Sequence, residues 1–362
     1  MAQQNGSATR RHVSAIYHEP GLWIGGAPWQ SIADATHADL ARMREIVVKG
    51  RIGAFAGVIA TREGLIAFDF ANWQPAAALA IDNPPFDQLA EVQRNRTLFI
   101  NAFLALLYTN VAKHDNLALD RMLVTPTCLI AMDKLDPQSN MGFGTIGEAS
   151  LATLSYTLMP AELPLFNSPN PQLLSNLMSR SAVSPEAVHS SVAMLEVFMG
   201  QRGVWGLIML DLIQRASFAF QAHDYEAALI DYWAVSERLI SELWTKYRSD
   251  LAGRQAVDAA RRSRLSDTRT FTVAVVTEIL AIEDVIAVDL YEELCQVRKA
   301  RNDWIHGAVD RVPRSVALIA TSVSERLFEQ SLGVAVVGQR AGKVHGYALS
   351  SCGRGAAAQP SR

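Results

Sequence analysis

From residue 192 onward, the chain is an almost unbroken series of segments in which apolar residues recur every three or four positions. That spacing places the apolar side chains on one face of an α-helix, so each segment predicts an amphipathic helix that buries one side. Polar breaks separate the segments: Asp224 is suited to cap the next helix, and Gly307 and Pro313 bracket a later break. An antiparallel bundle buries such stripes economically. The predicted helices cover residues 192–199, 204–222, 225–247, 270–282, 287–306 and 313–332.

The residues before this series predict a mixed architecture. Between residues 45 and 70, two β-rich runs are separated by the letters TREG, which favours a hairpin with Gly64 in its turn. Residues 86–114 show the apolar spacing of a long core helix. Strand-like runs return at residues 122–132 and 149–158. Together these patterns are typical of an α+β domain.

We therefore predict a mainly α protein with an α+β N-terminal domain and a C-terminal antiparallel helical bundle. Between the two domains, the letters NSPNP and VSP favour a connector or helix starts. The end of the chain is rich in Gly, Ala and Ser and holds basic but no acidic residues, which is typical of disorder. The predicted units are a disordered N terminus (1–15), an α+β domain that senses a trigger or binds a partner (16–190), a helical domain (191–332) and a disordered basic tail (333–362).

Composition limits the classes of function. The 362-residue chain has a net charge of −3, so any nucleic-acid binding must come from a local basic patch. Cys128, Cys295 and Cys352 are far apart and odd in number, which fits neither a disulfide framework nor a zinc site. Because the histidines lack metal-ligand spacing, we expect no metal and no cofactor. No secretory signal and no apolar run of roughly 20 residues is present, so we expect a cytoplasmic protein without membrane contact.

The stretch QVRKARNDWIHGAVD, residues 296–310, carries the strongest chemical signal in the sequence. On a helix, Asn302 and His306 are four residues apart and share a face, Arg301 lies beside Asn302, and Arg298 lies one turn earlier. Gly307 is placed to end the helix directly after His306. The imidazole would then lie near the negative end of the helix dipole, which favours the protonated ring.

A histidine that exchanges protons near neutral pH, next to a guanidinium that holds a phosphate, is the minimum equipment for cleaving RNA without a metal. In that reaction the ribose 2′-hydroxyl attacks the adjacent phosphorus, so the RNA supplies its own nucleophile. The protein only moves protons and stabilises charge. DNA lacks the 2′-hydroxyl and cannot react in this way.

The pattern R-N-x-x-x-H at a helix end, preceded by YEELCQVRKA and by the upstream helix YEAALIDYWAVSERLISELWTKY, resembles the HEPN (higher eukaryotes and prokaryotes nucleotide-binding) superfamily over roughly residues 204–332. The resemblance implies a four- to five-helix antiparallel bundle that often forms dimers. Many members are endoribonucleases of toxin–antitoxin, abortive-infection and antiphage systems. By position, Arg301 and His306 match the catalytic pair and Asn302 the polar residue after the arginine. Glu237 resembles an acidic position that orients Arg301 or His306.

Structural interpretations of the same residues stay open. Arg301 would then form an ion pair with Glu292, Glu293 or Glu237, and His306 would cap the helix by a hydrogen bond to the backbone. The basic segment 246–264, with Arg261, Arg262 and Arg264, is either a nucleic-acid-binding loop or a solvated helical connection. Trp205, Trp233 and Trp244 lie at helical spacing and predict core residues.

The sequence thus predicts a metal-independent endoribonuclease that binds RNA and forms a homodimer through its helical domain. Arg301, Asn302 and His306 are its catalytic residues, Glu237 and Arg298 are supporting residues, and Arg261, Arg262 and Arg264 bind nucleic acid. The N-terminal domain would contact an antitoxin, a phage-derived trigger or a partner from a defence system, which is an inference from domain order alone. The alternative is a non-catalytic HEPN-like module that mediates dimerisation or binds a nucleotide or RNA.

Overall fold

The computed structural model describes residues 12–30, 36–77, 79, 85–138, 141–143, 180–254 and 258–336. This part of the chain is mostly helical, with a sheet formed by residues near the N terminus. The strands are β1 (Val13–Tyr17), β2 (Leu22–Ile24), β3 (Ile46–Ile52), β4 (Ala56–Thr61), β5 (Leu65–Asp69), β6 (Ile130–Met132), β7 (Met141–Phe143) and β8 (Ser181–Val183). The helices are α1 (His37–Met43), α2 (Phe86–His114), α3 (Pro185–Gln221), α4 (Tyr225–Arg254), α5 (Ala259–Leu265), α6 (Val273–Ile282), α7 (Val288–Ile305) and α8 (Arg314–Leu332).

Six of the described strands form an antiparallel sheet in the order β3-β4-β5-β1-β6-β7, and β2 pairs with β8 in parallel. The predicted hairpin at TREG is confirmed as β4 and β5. Gly64 has a φ of +88°, and a Cβ atom there would lie 2.6 Å from the carbonyl oxygen of Leu22, so this turn requires glycine. The first β-rich run contains two strands, because the chain also turns between β3 and β4 at Gly53.

Strand β1 corrects the predicted disordered N terminus. Val13, Ser14 and Ala15, inside the segment 1–15, belong to a fully buried strand that pairs with both β5 and β6. Alternate residues of β1 contribute to two separate apolar clusters, one on each face of the sheet. Residues 1–11 lie outside the described residues, as do the predicted strand at 149–158 and most of the predicted tail.

Helix α2 has the predicted bounds and forms the centre of the molecule. Its middle turns are fully buried, with Phe99 and Phe103 packed edge-on against Phe68 of the sheet at ring-centroid distances of 5.8 and 5.1 Å. Burying one such aromatic side chain stabilises the fold by about 1.5–3 kcal/mol. The opposite side of α2 packs extensively on α3.

Helix α3 continues across the predicted boundary at residues 190 and 191. It begins at Pro185, in the first turn where proline is tolerated, with the Ser184 hydroxyl accepting a hydrogen bond from the N–H of Ala187. Gly203 interrupts the helical backbone at the break predicted between residues 199 and 204 (φ 57°, ψ −143°). One apolar cluster includes residues of the sheet, α2, α3, α4, α7 and α8, so the core is continuous between the two predicted domains.

The remaining helices follow the predicted series closely. Helix α4 begins after Asp224, whose carboxylate accepts a hydrogen bond from the N–H of Ala227, and it packs on α3 and α8. Trp233 and Trp244 are buried as predicted, whereas Trp205 is half-buried. Residues 246–254 belong to α4 and residues 259–265 form α5, so the described part of the basic segment 246–264 is helical.

By length and composition, α3 is apolar enough to cross a membrane, but 61% of its most apolar window is buried inside the protein. Core helices of globular proteins pass the same test, and α3 contacts α2, α4 and β3.

A belt of buried and half-buried polar side chains fixes α2 and α3 to the segment 120–124. We call His18, Asn101, Tyr108, Asp211 and Gln214 the polar belt. Asn101 binds Val124 in both directions, donating to its carbonyl (3.1 Å) and accepting from its N–H (2.9 Å), and it also donates to Asp211 (3.0 Å). Gln214 donates to the carbonyl of Met122 at 2.7 Å. The belt thus supplies hydrogen-bond partners to the backbone of a partly buried, irregular segment.

His18 occupies the end of the belt nearest the sheet, and its contacts define its tautomer. Nδ1 lies 2.7 Å from the carbonyl oxygen of Pro20, which only accepts, so Nδ1 carries the proton. Nε2 then accepts a hydrogen bond from the Tyr108 hydroxyl at 2.7 Å, and that hydroxyl accepts one from the N–H of Met122. Burial lowers the pKa of His18.

Candidate active site

Helix α7 carries the R-N-x-x-x-H motif and is amphipathic. Leu290, Leu294 and Val297 are buried at a spacing of four and three residues and attach the helix to the core. Continuing this spacing, Arg301 and Trp304 are half-buried, and Trp304 packs against the core as expected. The motif arginine therefore extends the buried stripe of α7, whereas Asn302 and His306 lie on a neighbouring face.

The end of α7 has the geometry predicted from Gly307. His306 is the C-cap residue, and its N–H donates to the carbonyl of Asn302 at 2.9 Å. Gly307 has a φ of +71°, its N–H donates to Trp304, and the N–H of Ala308 donates to Asp303 at 2.7 Å. These two bonds form a Schellman motif, in which glycine supplies the left-handed conformation. The helix consequently presents His306 at its terminus.

Arg301 and Asn302 are in direct contact. Nη1 of Arg301 donates a hydrogen bond to Oδ1 of Asn302 at 3.0 Å, while Nε of Arg301 is buried and has no hydrogen-bond partner among the described residues. In the described part of the chain, Arg301 forms no ion pair with Glu237, Glu292 or Glu293. Glu293 instead pairs with Arg326 at 3.0 Å. The ion pair expected from the structural interpretation of Arg301 is thus not formed here.

The imidazole of His306 is exposed and makes no hydrogen bond or ion pair with a described residue. His306 therefore caps the helix through its backbone N–H, as the structural interpretation expected, while its ring nitrogens take no part in the cap. Asn302 lies about 6 Å before His306 along the helix axis, and Arg298 is half-buried one turn before Asn302. The structure thus places Arg298, Arg301, Asn302 and His306 along the last two turns of one helix.

Glu237 lies elsewhere. It is exposed on α4 and lines an open groove with Trp205, Arg238 and Glu242. Among the described residues, it forms no ion pair with Arg301 or His306. Its role as an orienting residue stays a prediction.

The three predicted nucleic-acid-binding residues Arg261, Arg262 and Arg264 are exposed on α5. This short helix packs near the C-terminal end of α4, where Nε1 of Trp244 donates to the carbonyl of Leu265. The motif lies toward the other end of α4, because the N–H of Val312, six residues after His306, donates to Glu226 at 2.8 Å. Residues 226 and 244 are about 27 Å apart along the helix. The arginine cluster and the motif are therefore not adjacent within one chain.

No group of three or more His, Cys, Asp or Glu side chains with metal-binding geometry occurs in the described part of the chain. Cys295 lies on α7 close to Tyr291, whose hydroxyl donates to Glu278 of α6; this hydrogen bond raises the pKa of Tyr291. None of these three residues belongs to the motif.

The turn between α3 and α4 carries an exposed histidine, although the sequence predicted only a break there. His223 is exposed at the end of α3, and its Nδ1 lies 2.8 Å from the hydroxyl of Tyr225. The signal available in the sequence was a histidine between an apolar helix and a capping aspartate, in the letters HDYE. No local pattern relates this loop to residues 301–306, about 80 positions away.

Comparison of the chain with protein-family models, curated proteins and solved structures gave no match.

Proposed function

We propose that this protein is a metal-independent endoribonuclease of the HEPN type, with Arg301, Asn302 and His306 in its active site. The observation that carries the proposal is the state of His306: an exposed imidazole at a helix terminus, without a structural partner among the described residues. A histidine that only stabilised the fold would be expected to use its ring nitrogens internally, as the buried His18 does.

The chemistry requires each of the three residues. The terminal N–H groups of Arg301 hold the scissile phosphate, and Asn302, by accepting a hydrogen bond from Nη1, fixes the plane of the guanidinium. The 2′-hydroxyl attacks phosphorus, the bond to the 5′-oxygen breaks, and His306 transfers a proton as general acid or base. The products are a 2′,3′-cyclic phosphate and a 5′-hydroxyl.

We further propose that the helical part is HEPN-like and acts as a homodimer. The apolar side chains Ile305 and Val309 flank His306 and are 44% and 41% exposed, which supports burial against a second copy. In such a dimer, two motifs would share one cleft. The N-terminal part would then sense an antitoxin, a phage-derived trigger or a defence-system partner in the cytoplasm.

One observation favours the alternative of a non-catalytic HEPN-like scaffold. Arg301 continues the buried stripe of α7 and its Nε atom is inaccessible, so part of this side chain serves packing. An arginine whose main role is packing would tolerate replacement by an apolar residue of similar length.

The experiment that tests the proposal compares expression of the wild type with the His306→Ala variant in bacterial cells. We expect growth arrest and RNA fragments ending in 2′,3′-cyclic phosphate for the wild type only. Purified wild type should cleave single-stranded RNA, but not DNA of the same sequence, in the presence of EDTA. His189→Ala is the matched control, because His189 is an exposed histidine in the N-terminal part of α3. Equal behaviour of the wild type and His306→Ala would defeat the enzyme proposal.

A further inference from the structure

Two connections meet at the end of the bundle where the motif lies. The N–H of Val312, between α7 and α8, donates to Oε1 of Glu226 in the first turn of α4. At the start of α8, the guanidinium of Arg314 lies 5.6 Å from the ring centre of Phe220 in the last turns of α3. These contacts place the α3–α4 turn and the α7–α8 connection side by side. Each connection carries one exposed histidine directly after a helix, His223 and His306.

The two helix ends have the same backbone geometry. After α3, the N–H of His223 donates to Phe220 and the N–H of Asp224 donates to Ala219, which reproduces the Schellman motif at the end of α7. At the position equivalent to Gly307, however, α3 has His223, with a φ of +63°. A residue with a Cβ atom costs about 1 kcal/mol in this conformation relative to glycine. A costly residue with a titratable side chain thus occupies a position that glycine fills better.

Tyr225 fixes the ring of His223 without using its outer nitrogen. Nδ1 of His223 lies 2.8 Å from the Tyr225 hydroxyl, and the two rings are edge-on with centroids 5.9 Å apart. When Nδ1–H donates to this hydroxyl, the lone pair of the neutral ring lies on Nε2. Nε2 then exchanges a proton with solvent or substrate while the bond to Tyr225 is kept in both protonation states.

We propose that His223 is the second proton-transfer group of the ribonuclease reaction. The inference rests on the proposed function and extends it. His223 Nε2 takes the proton of the 2′-hydroxyl as the 2′-oxygen forms its bond to phosphorus. His306, at the negative end of the α7 dipole, gives a proton to the 5′-oxygen as the bond from phosphorus to that oxygen breaks. One proton is accepted and one is donated, so the two rings exchange protonation states in each turnover, and solvent restores them.

Other charged groups lie on the elements that meet here. They are Asp224 and Glu226 at the start of α4, Asp310 and Arg311 in the α7–α8 connection, and Arg314 at the start of α8. Asp224 caps α4 and Glu226 accepts from Val312, so both carboxylates have structural partners. A variant at His223 must therefore leave this backbone geometry intact.

The test uses the full chain and a single-stranded oligoribonucleotide of mixed sequence, with cleavage rates measured between pH 5 and 9. His223→Asn removes the imidazole but retains a side chain that tolerates the left-handed conformation. Asp284→Asn is the matched control: Asp284 has a φ of +53° after α6, at a Schellman end of the same type, away from the motif. We expect His223→Asn to lower the cleavage rate 10²–10⁴-fold and to remove the low-pH decline of the bell-shaped profile. Asp284→Asn should behave as the wild type.

The outcomes separate this inference from the proposed function. If His306→Ala is inactive but His223→Asn cleaves within threefold of the wild type, with both limbs of the profile, the role of His223 is overturned and the ribonuclease proposal stands. If the wild type and His306→Ala are equally inert, both fall. Should His223→Asn unfold, His223→Gly, which suits the backbone better, replaces it with the same expected loss and profile change.

Discussion

Histidine and asparagine side chains have opposite environments in the polar belt and at the motif end, our name for the end of the bundle that carries His223 and residues 301–307. In the polar belt, His18 and Asn101 are 2% exposed and every ring nitrogen or amide group has a partner. At the motif end, His306 and His223 are exposed, and His306 has no partner among the described residues. Buried polar groups are costly unless paired, so the belt is committed to holding α2, α3 and the segment 120–124 together. The motif end, by contrast, has side chains available to a ligand.

The largest expected effect tests whether Arg301 binds phosphate at the motif end or only packs against the core. Arg301→Met keeps an unbranched apolar stem in the buried stripe of α7 but removes the guanidinium. We expect RNA cleavage to fall about 10²–10³-fold, because the phosphate loses its charged clamp, while the free energy of unfolding changes by less than about 1 kcal/mol. Cleavage rates and denaturant unfolding measure the two quantities.

Arg94→Met, at an exposed position of α2 outside the motif, is the control for the loss of one positive charge. Full cleavage by Arg301→Met would show that Arg301 serves only in packing, and it would favour the scaffold alternative.

The second prediction concerns stability, for which we expect the larger effect in the polar belt and the smaller one at the motif end. His18→Ala removes the partner of both the Pro20 carbonyl and the Tyr108 hydroxyl inside the protein, so we expect a loss of about 2–4 kcal/mol in the free energy of unfolding. His306→Ala should change it by less than about 0.5 kcal/mol, because an exposed side chain is removed. Urea titration of both variants at pH 7.5 measures the difference. Similar losses in the two variants would remove the distinction between the regions.

Sequence patterns located the motif end far better than the polar belt, and the reason is distance along the chain. Helix α2 follows from the local apolar spacing, and the end of α7 follows from Gly307. The bond between His18 and Tyr108 joins residues 90 positions apart, and that between Asn101 and Asp211 joins residues 110 apart. No periodicity encodes such pairs. Strand β1 was missed for the same reason, since its partners β5 and β6 lie far along the sequence.

The position of α3 shows a second limit. Ser184 and Pro185 carry a cap and a first-turn proline, but in the sequence the same letters are equally typical of a connector. Only packing on α2 and β3 extends the helix back to residue 185. Likewise, α3 and α4 were predicted, yet the contacts of the α3–α4 turn with the α7–α8 connection depend on how α3, α4, α7 and α8 assemble.

A third prediction concerns pH and the belt. Burial raises the pKa of Asp211 to about 6. The hydrogen bond from Asn101 lowers this pKa, but by less than burial raises it. Between pH 3.8 and 6 the folded state therefore binds the proton more tightly than the unfolded chain, so this group makes stability fall as pH rises toward 7. Asp211→Asn should raise the free energy of unfolding at pH 7 by about 1–3 kcal/mol, because the cost of the buried charge disappears.

The contribution of His18 has the opposite sign. Its pKa is lowered in the folded state, so below its ordinary value of 6.5 the unfolded chain binds more protons and stability falls as pH falls. Urea titrations of the wild type and Asp211→Asn from pH 4 to 8 separate the two groups. In Asp211→Asn, the decrease in the free energy of unfolding with rising pH should disappear. The decrease with falling pH, which comes from His18, should remain. An Asp211→Asn variant less stable than the wild type at pH 7 would contradict the assignment.

The smallest expected effect concerns the backbone conformation of Gly307 at the end of α7, independently of the catalytic side chains. A Cβ atom added at Gly307 or at Gly200 of α3 would meet no atom within 4 Å, so neither substitution by alanine causes a clash. The two sites differ in conformation, since Gly307 has a φ of +71° whereas Gly200 lies within a helix. Gly307→Ala should therefore lower the free energy of unfolding by about 1 kcal/mol and Gly200→Ala raise it by about 0.5–1 kcal/mol. Equal signs in urea titration would show that the Schellman end of α7 does not hold in solution, and with it the placement of His306 on which the catalytic proposal depends.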